Sequence, residues 1–189
     1  NILFQKKNGY GSAIVEGLNS STTEYSCIIN ADGSNQLVLN GESACTGDWQ
    51  IIAPRVKSDI NTSIAYIVWE DRRNTWTSDI YAQKINSNGA VEWGNGLSIS
   101  NAEQTQSQPR LTTDGLGGAY FIWEDHRNSG DTGIDIYAQH VNFNGQLTHS
   151  DDGEQICIAE NLQFNPLVRN DGSGGALMVW GDQRTGGSY

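Results

Sequence analysis

Three sets of residues in this 189-residue chain have types and spacings that could do chemistry. The first is a Trp-x-Asp-x-Arg element, present as Trp69/Asp71/Arg73, Trp123/Asp125/Arg127 and Trp180/Asp182/Arg184. A rim of such Asp and Arg side chains could bind an anion or a sugar. The same guanidinium can bond its carboxylate bidentately and stack on a Trp face, stapling neighbouring units. A set that recurs three times is explained more simply by a repeated unit than by one site. It is read here as a structural rim motif. The second set is Arg55 and Arg110, each directly after a proline. The third is Trp76 and Trp93, flat apolar faces on which a pyranose ring could stack. These four, Arg55, Arg110, Trp76 and Trp93, are the candidate ligand-binding residues. No acid/base or nucleophile pair can be assigned, so no catalytic residue is named.

Metal chemistry is thinly supported. The carboxylates of Asp131 and Asp135, and those of Asp151, Asp152 and Glu154, could offer oxygens to Ca²⁺, but neither group follows the EF-hand spacing. Solvated loop carboxylates are the default, and no cofactor is expected. His126, His140 and His149 are not spaced as zinc ligands. Cys27, Cys45 and Cys157 form an odd set. Cys45 and Cys157 each stand nine residues before a proline, where the middle repeat has Ser100. Equivalent positions of different repeats lie too far apart to bridge. A Cys27–Cys45 bridge is open, and buried thiols are the simpler state. Asn19-Ser-Ser and Asn61-Thr-Ser fit the glycosylation acceptor pattern, which is common by chance in a chain of this composition.

Composition narrows the function classes. With 11 Lys+Arg against 22 Asp+Glu the formal charge is −11, which disfavours binding to nucleic-acid phosphate or anionic lipid. No apolar run reaches the length of a membrane span. There are 22 glycines but three prolines, which favours many tight turns between ordered elements. Six Trp and seven Tyr make the core aromatic.

The elements that position these residues are given by an internal repeat. Ser63-Ile-Ala-Tyr-Ile-Val-Trp-Glu-Asp-Arg-Arg73 returns as Gly117-Gly-Ala-Tyr-Phe-Ile-Trp-Glu-Asp-His-Arg127 and as Gly174-Gly-Ala-Leu-Met-Val-Trp-Gly-Asp-Gln-Arg184. Asp79-Ile-Tyr-Ala-Gln83 returns as Asp135-Ile-Tyr-Ala-Gln139, and Pro54, Pro109 and Pro166 share one position. The landmark spacings give a period of 54 to 57 residues. Each repeat reads as four strands. The first starts at the proline. The second is an almost continuous apolar run, as suits a strand buried on both faces. The third ends in an Asn-Gly or Asp-Gly turn of type I′, and a weaker fourth closes at Gly41, Gly96 or Gly153. No stretch holds a helical period. The fold class expected is therefore all-β, a β-propeller of four-stranded blades, about three and a half of them. The blades span about 1–50, 51–105, 106–162 and a partial 163–189, and together they form part of one domain. A propeller of this kind needs at least about four blades to close. The chain is thus expected to be an excerpt of a longer polypeptide, with further blades or a neighbouring chain as partner. The strand 176–180 would lack its third-strand neighbour and be a template for pairing with another chain.

These motifs resemble tandem repeats of large secreted bacterial proteins, many of which end in a sorting domain for the type IX secretion route. The resemblance covers nearly the whole chain and is strongest over 51–189; the first repeat lacks the Trp and the Asp-x-Arg. It implies a secreted or cell-surface location and propeller-like blades, and it implies no particular activity. The leading function is a non-catalytic binding or scaffold module for a glycan or a protein. One alternative is a structural subunit of an extracellular filament or surface layer. Another is part of a propeller glycosidase or lyase. Arg55 and Arg110 pointing at a central channel would look like the carboxylate clamp of sialidase-type propellers, although Leu167 holds that position in the last repeat, with Arg169 two residues on. The stretch Asn86-Ser-Asn-Gly-Ala-Val-Glu-Trp93 only approximates the Asp-box turn of those enzymes.

Overall fold

The computed structural model describes residues 50–184 apart from 60 and 75, together with Cys45 and the backbone of residues 2–7, 10–15, 25–26 and 42–43. Every regular element among the described residues is a strand, and all pairing is antiparallel. Strand β1 (Ile2–Lys7) pairs with β2 (Tyr10–Val15), and β3 (Tyr25–Ser26) with β4 (Glu42–Ser43). Two four-stranded sheets follow in simple up-and-down order. One holds β5 (Ile51–Ser58), β6 (Ala65–Asp71), β7 (Asp79–Ile85) and β8 (Leu97–Ser100). The next holds β9 (Gln106–Thr113), β10 (Ala119–Asp125), β11 (Asp135–Val141) and β12 (Glu154–Cys157). The last is the hairpin of β13 (Gln163–Asn170) and β14 (Ala176–Asp182). The chain is all-β, and its repeat is a sheet. The turn Asp32-Gly33, the position of Cys27 and the triplet at Asn19 lie outside the described residues.

The sheets stack face to face, which explains the continuous apolar runs. Tyr66, Val68, Ile80 and Ala82 of the first four-stranded sheet meet Leu111, Phe121, Trp123 and Tyr137 of the second in one core. Ile122, Ile136 and Ala138, on the other face of the second sheet, meet Val168 and Met178 of the last hairpin. Central strands are thus buried on both faces, and alternation disappears from their sequence.

Three local details differ from the sequence expectation. The prolines do not start the first strand of each repeat; Pro54, Pro109 and Pro166 sit inside β5, β9 and β13, at a register shift. Their predecessors Ala53, Gln108 and Asn165 have φ of 51°, 53° and 53°. A bulge absorbs a residue that cannot donate to the ladder. The hairpins after β7 and β11 are not type I′. Only Gly89 and Gly145 take positive φ there, and Gly89 N–H donates to Asn86 O at 2.9 Å, as in a three-residue loop ending on a left-handed glycine. Finally, Gly96 and Gly153 precede the fourth strands and do not close them. A Cβ on Gly96 would stand 2.8 Å from the Trp69 ring, and one on Gly153 would run into the Trp123 ring. The glycine makes room for the motif tryptophan.

Candidate functional site

The rim motif forms one unit in every repeat where it occurs. In the second four-stranded sheet Asp125 is fully buried, and its Oδ2 accepts from Trp123 Nε1 at 2.8 Å and from Arg127 Nη2 at 2.6 Å. Its Oδ1 accepts from the backbone N–H and the Nε of Arg127, both at 2.9 Å. Asp71 repeats this with Trp69 and Arg73. The guanidinium does not stack on the tryptophan as the sequence suggests. It lies over the tyrosine of the Asp-Ile-Tyr-Ala-Gln element, 3.8 Å from the Tyr81 centroid for Arg73 and 4.0 Å from Tyr137 for Arg127. The tryptophan instead spends its single N–H on the carboxylate, which leaves its ring free to enter the core.

The same arginines reach outward. Arg73 Nη2 donates to Asn95 O at 2.8 Å, and Arg127 Nη2 donates to Asp152 O at 2.8 Å, fixing the loop before the fourth strand. Arg127 also approaches Ser100 Oγ in the preceding sheet at 3.5 Å. In the last hairpin Arg184 Nη2 donates to Cys157 Sγ at 3.2 Å, again across to the preceding sheet, while bonding Asp182. The cysteine/serine position of the repeat is therefore the seat of the rim arginine. Burial pushes the Cys157 thiol up, so it stays protonated at neutral pH, 3.7 Å from Asp182 Oδ2.

Arg55 and Arg110 come from neighbouring innermost strands, β5 and β9. Burial, and then the nearby Arg55 charge, lower the Arg110 pKa, so the two guanidiniums repel. Arg55 Nη1 donates to Pro54 O at 2.9 Å and Arg110 Nη1 to Pro109 O at 3.0 Å, while Arg110 Nη2 reaches the side chain of Gln108 at Oε1, 3.5 Å away. Among the described residues neither is in a carboxylate ion pair. Arg169 lies elsewhere in the register, opposite Leu177, and bonds Val168 O.

The two tryptophans part company. Trp76, in the connection between β6 and β7, is 97% exposed. Trp93 is half-buried, packs against Tyr66 with centroids 5.7 Å apart, and reaches Gly145 in the next hairpin. It fills the seam between two sheets.

Sequence reasoning passed over three further groups. Glu70 Oε1 accepts the Gln108 N–H at 2.9 Å, and Glu124 Oε1 accepts the Asn165 N–H at 2.7 Å. Each glutamate thereby holds the left-handed residue before the proline of the following sheet. The buried Gln83 and Gln139 anchor their own loops: Gln83 Oε1 accepts from Trp93 N–H and its Nε2 donates to Gly94 O. Recurrence in the two repeats was the available signal for both pairs. The third group has no counterpart in other repeats. His140 lies between Asp114, 3.0 Å from Nε2, and Thr148, 3.0 Å from Nδ1, with the Tyr120 ring packed against it at a 31° tilt. The order resembles a hydrolytic relay. Thr148 is exposed, however, and its Oγ1 also donates to His140 O, which ties the hairpin.

Neither acidic group gathers round a point. Asp135 Oδ2 accepts from Asn128 and Thr132, Asp131 is exposed, and Asp152 Oδ1 accepts the Asn101 N–H of the preceding sheet. Among the described residues no group of three or more His, Cys, Asp or Glu side chains is placed to hold a metal ion. Comparisons with protein-family models, with curated proteins and with solved structures found no match to this chain.

Proposed function

We propose that this chain is a secreted or cell-surface binding module of β-propeller type that performs no reaction of its own and presents ligand-contacting side chains on stapled loops. The observation that carries the reading is Trp76. A tryptophan 97% exposed on a connecting loop hides no apolar area within the chain. The Asp71–Arg73 unit at the start of the same connection is tightly bonded, so the loop leaves the sheet at a fixed place. Exposed aromatic faces on rigid loops suit the apolar face of a pyranose or an apolar protein side chain. Arg55 and Arg110 add a second feature of recognition type, two cations set together whose nearby glutamates, Glu70 and Glu124, act on them through space and not in a direct ion pair among the described residues. Acidic surface charge and few lysines suit an extracellular protein.

The test is a glycan array read with the whole chain, followed by fluorescence titration of the best ligand against Trp76→Ala and a panel of glycosidase and lyase substrates. Binding that disappears in Trp76→Ala, with no turnover on the panel, supports the reading. Turnover of any substrate, or binding indifferent to Trp76, overturns it. A second reading, a subunit of a filament or surface layer, is favoured by exposed apolar residues on β14.

A further inference from the structure

Arg55 and Arg110 stand at matching places in two successive seams between sheets. Arg55 faces Val68 across β5 and β6, and Val68 belongs to the core shared with the second four-stranded sheet. Arg110 faces Ile122, which belongs to the core shared with Val168 of the last hairpin. Directly opposite residues of an antiparallel pair share one face. Each guanidinium therefore leaves its strand toward the sheet that follows. Both side chains are half-buried, so solvent reaches them. Glu70 and Glu124 lie two residues beyond Val68 and Ile122, on the same two faces, and bond the bulge N–H groups of Gln108 and Asn165.

The fold does not need an arginine here. The last hairpin forms the same bulge at Pro166 with Leu167 in that position. Arg127 shows what a structural arginine does in this chain: it bonds Asp125 and a carbonyl in a distant loop, and covers the face of Tyr137. Among the described residues Arg55 donates only to the carbonyl of Pro54, and Arg110 only to Gln108 and Pro109. The remaining N–H groups of each fork, whose geometry matches a carboxylate, are unused. The nearest glutamates do not take them up. Each is tied to a bulge N–H, and neither is ion-paired with Arg55 or Arg110 among the described residues. The two cations are close enough for the Arg55 charge to add to burial in lowering the Arg110 pKa. Their repulsion is relieved when an anion joins them.

We infer that Arg55 and Arg110 form a carboxylate-binding subsite, and that its ligand is a sugar acid of the uronic type. The inference rests on the binding-module reading and deepens it to a ligand class. A guanidinium fork takes a planar carboxylate through paired, charge-assisted bonds, stronger than those to a neutral acceptor. The glutamates separate a sugar acid from a bare anion. Glu70 and Glu124 act through space on the same arginines, so carboxylate oxygens stand beside the forks. Those oxygens accept from hydroxyl groups and repel a second negative charge. A singly charged carboxylate flanked by hydroxyls meets donors and acceptors alike. Sulfate offers no donor and brings a second charge, so it fits the forks but not their surroundings.

The experiment is an NMR titration of the whole chain with glucuronic acid, galacturonic acid, their neutral parents glucose and galactose, and sodium sulfate. The expected result is binding of a uronic acid at roughly millimolar strength, with the largest shifts at the Arg55 and Arg110 side chains. The neutral sugars and sulfate should leave those signals in place. Arg55→Leu and Arg110→Leu copy the residue found at 167, and each should weaken binding about tenfold or more. Preserved amide dispersion shows that the variants fold, and the parent titration decides the matter on its own where one does not. Four outcomes overturn the inference: no response to either uronic acid, shifts confined to other residues, equal binding of a neutral sugar or sulfate, or folded variants that bind like the parent. A glycan bound through Trp76 and indifferent to both arginine variants also overturns it, yet leaves the binding-module reading standing. Turnover of a uronic acid that both variants abolish keeps the subsite and overturns that reading instead.

Discussion

Glu124 and Asn165 are joined across two sheets by a 2.7 Å hydrogen bond from the backbone N–H of one to the carboxylate of the other. The donor belongs to a residue with φ of 53° immediately before Pro166. The bulge gives up its place in its own ladder, and the preceding sheet supplies the missing acceptor. Glu70 and Gln108 repeat the arrangement one sheet earlier. The glutamate of the Trp-Glu-Asp-x-Arg segment thus connects sheets, while the aspartate next to it organises its own rim.

Glu124→Ala leaves the Asn165 N–H without its acceptor and should destabilise the chain by about 1 to 2 kcal/mol. Glu124→Gln keeps an amide oxygen in place and should recover most of the loss. Urea unfolding of the two variants measures the difference. Equal losses would mean that the charge, and not the hydrogen bond, holds the two sheets together.

Asp125→Ala removes the common acceptor of one tryptophan and three arginine donors, and strands a half-buried guanidinium. The expected cost is about 3 to 5 kcal/mol, seen as a fall in thermal midpoint, while ligand binding through Trp76 is retained. Unchanged stability with lost binding would assign the rim to recognition. The same substitution should release the loop that Arg127 holds at Asp152 O, visible as faster amide exchange around residue 152.

Two carboxyl groups give pH dependences of opposite sign. Burial, only partly offset by the Gln108 N–H, raises the Glu70 pKa. A raised pKa contributes stability below the unfolded value of about 4.3 that is lost as pH rises through the folded one. Relative to Glu70→Gln, the parent chain should therefore lose stability between about pH 4 and neutrality. Asp182 behaves the other way: its hydrogen bond from the Arg184 side chain, then that from the Arg184 N–H, hold it well below the usual range. Its contribution is present above about pH 4 and is lost as pH falls further. Denaturant midpoints of Glu70→Gln and Asp182→Asn against pH should diverge from the parent in these two windows.

The repeat was legible in the sequence because its landmarks are backbone necessities. Pro54, Pro109 and Pro166 mark bulges, Gly89 and Gly145 mark left-handed turn positions, and the apolar runs of β6 and β10 mark strands buried twice. What each landmark does was less legible. The glycine at 96 and 153 reads as a turn, but its recurrence records the space taken by Trp69 and Trp123, a contact 27 and 30 residues away in sequence. The rim motif was visible as a set, yet its arginine stacks on a tyrosine from another element, because the tryptophan N–H and the guanidinium share one carboxylate. Trp76 and Trp93 look alike in sequence. Only the seam between two sheets separates a half-buried wedge from an exposed face.

That steric role of the glycine can be measured at matched positions. Gly153 and Gly172 have nearly the same φ, 88° and 86°. A Cβ on Gly172 would meet nothing within 4 Å, whereas one on Gly153 would strike the Trp123 ring and stand 2.8 Å from Ala138 O. Alanine at either position has the left-handed conformation to accommodate, about 1 to 2 kcal/mol. Gly153→Ala must also displace the tryptophan whose N–H is bonded to Asp125, which adds about 1 to 3 kcal/mol of overpacking. The prediction is a clear excess loss in Gly153→Ala over Gly172→Ala, accompanied by a change in tryptophan fluorescence that the second variant does not show. Equal losses with unaltered fluorescence would mean that Trp123 has room to shift, and that the glycine is kept for its backbone angle alone.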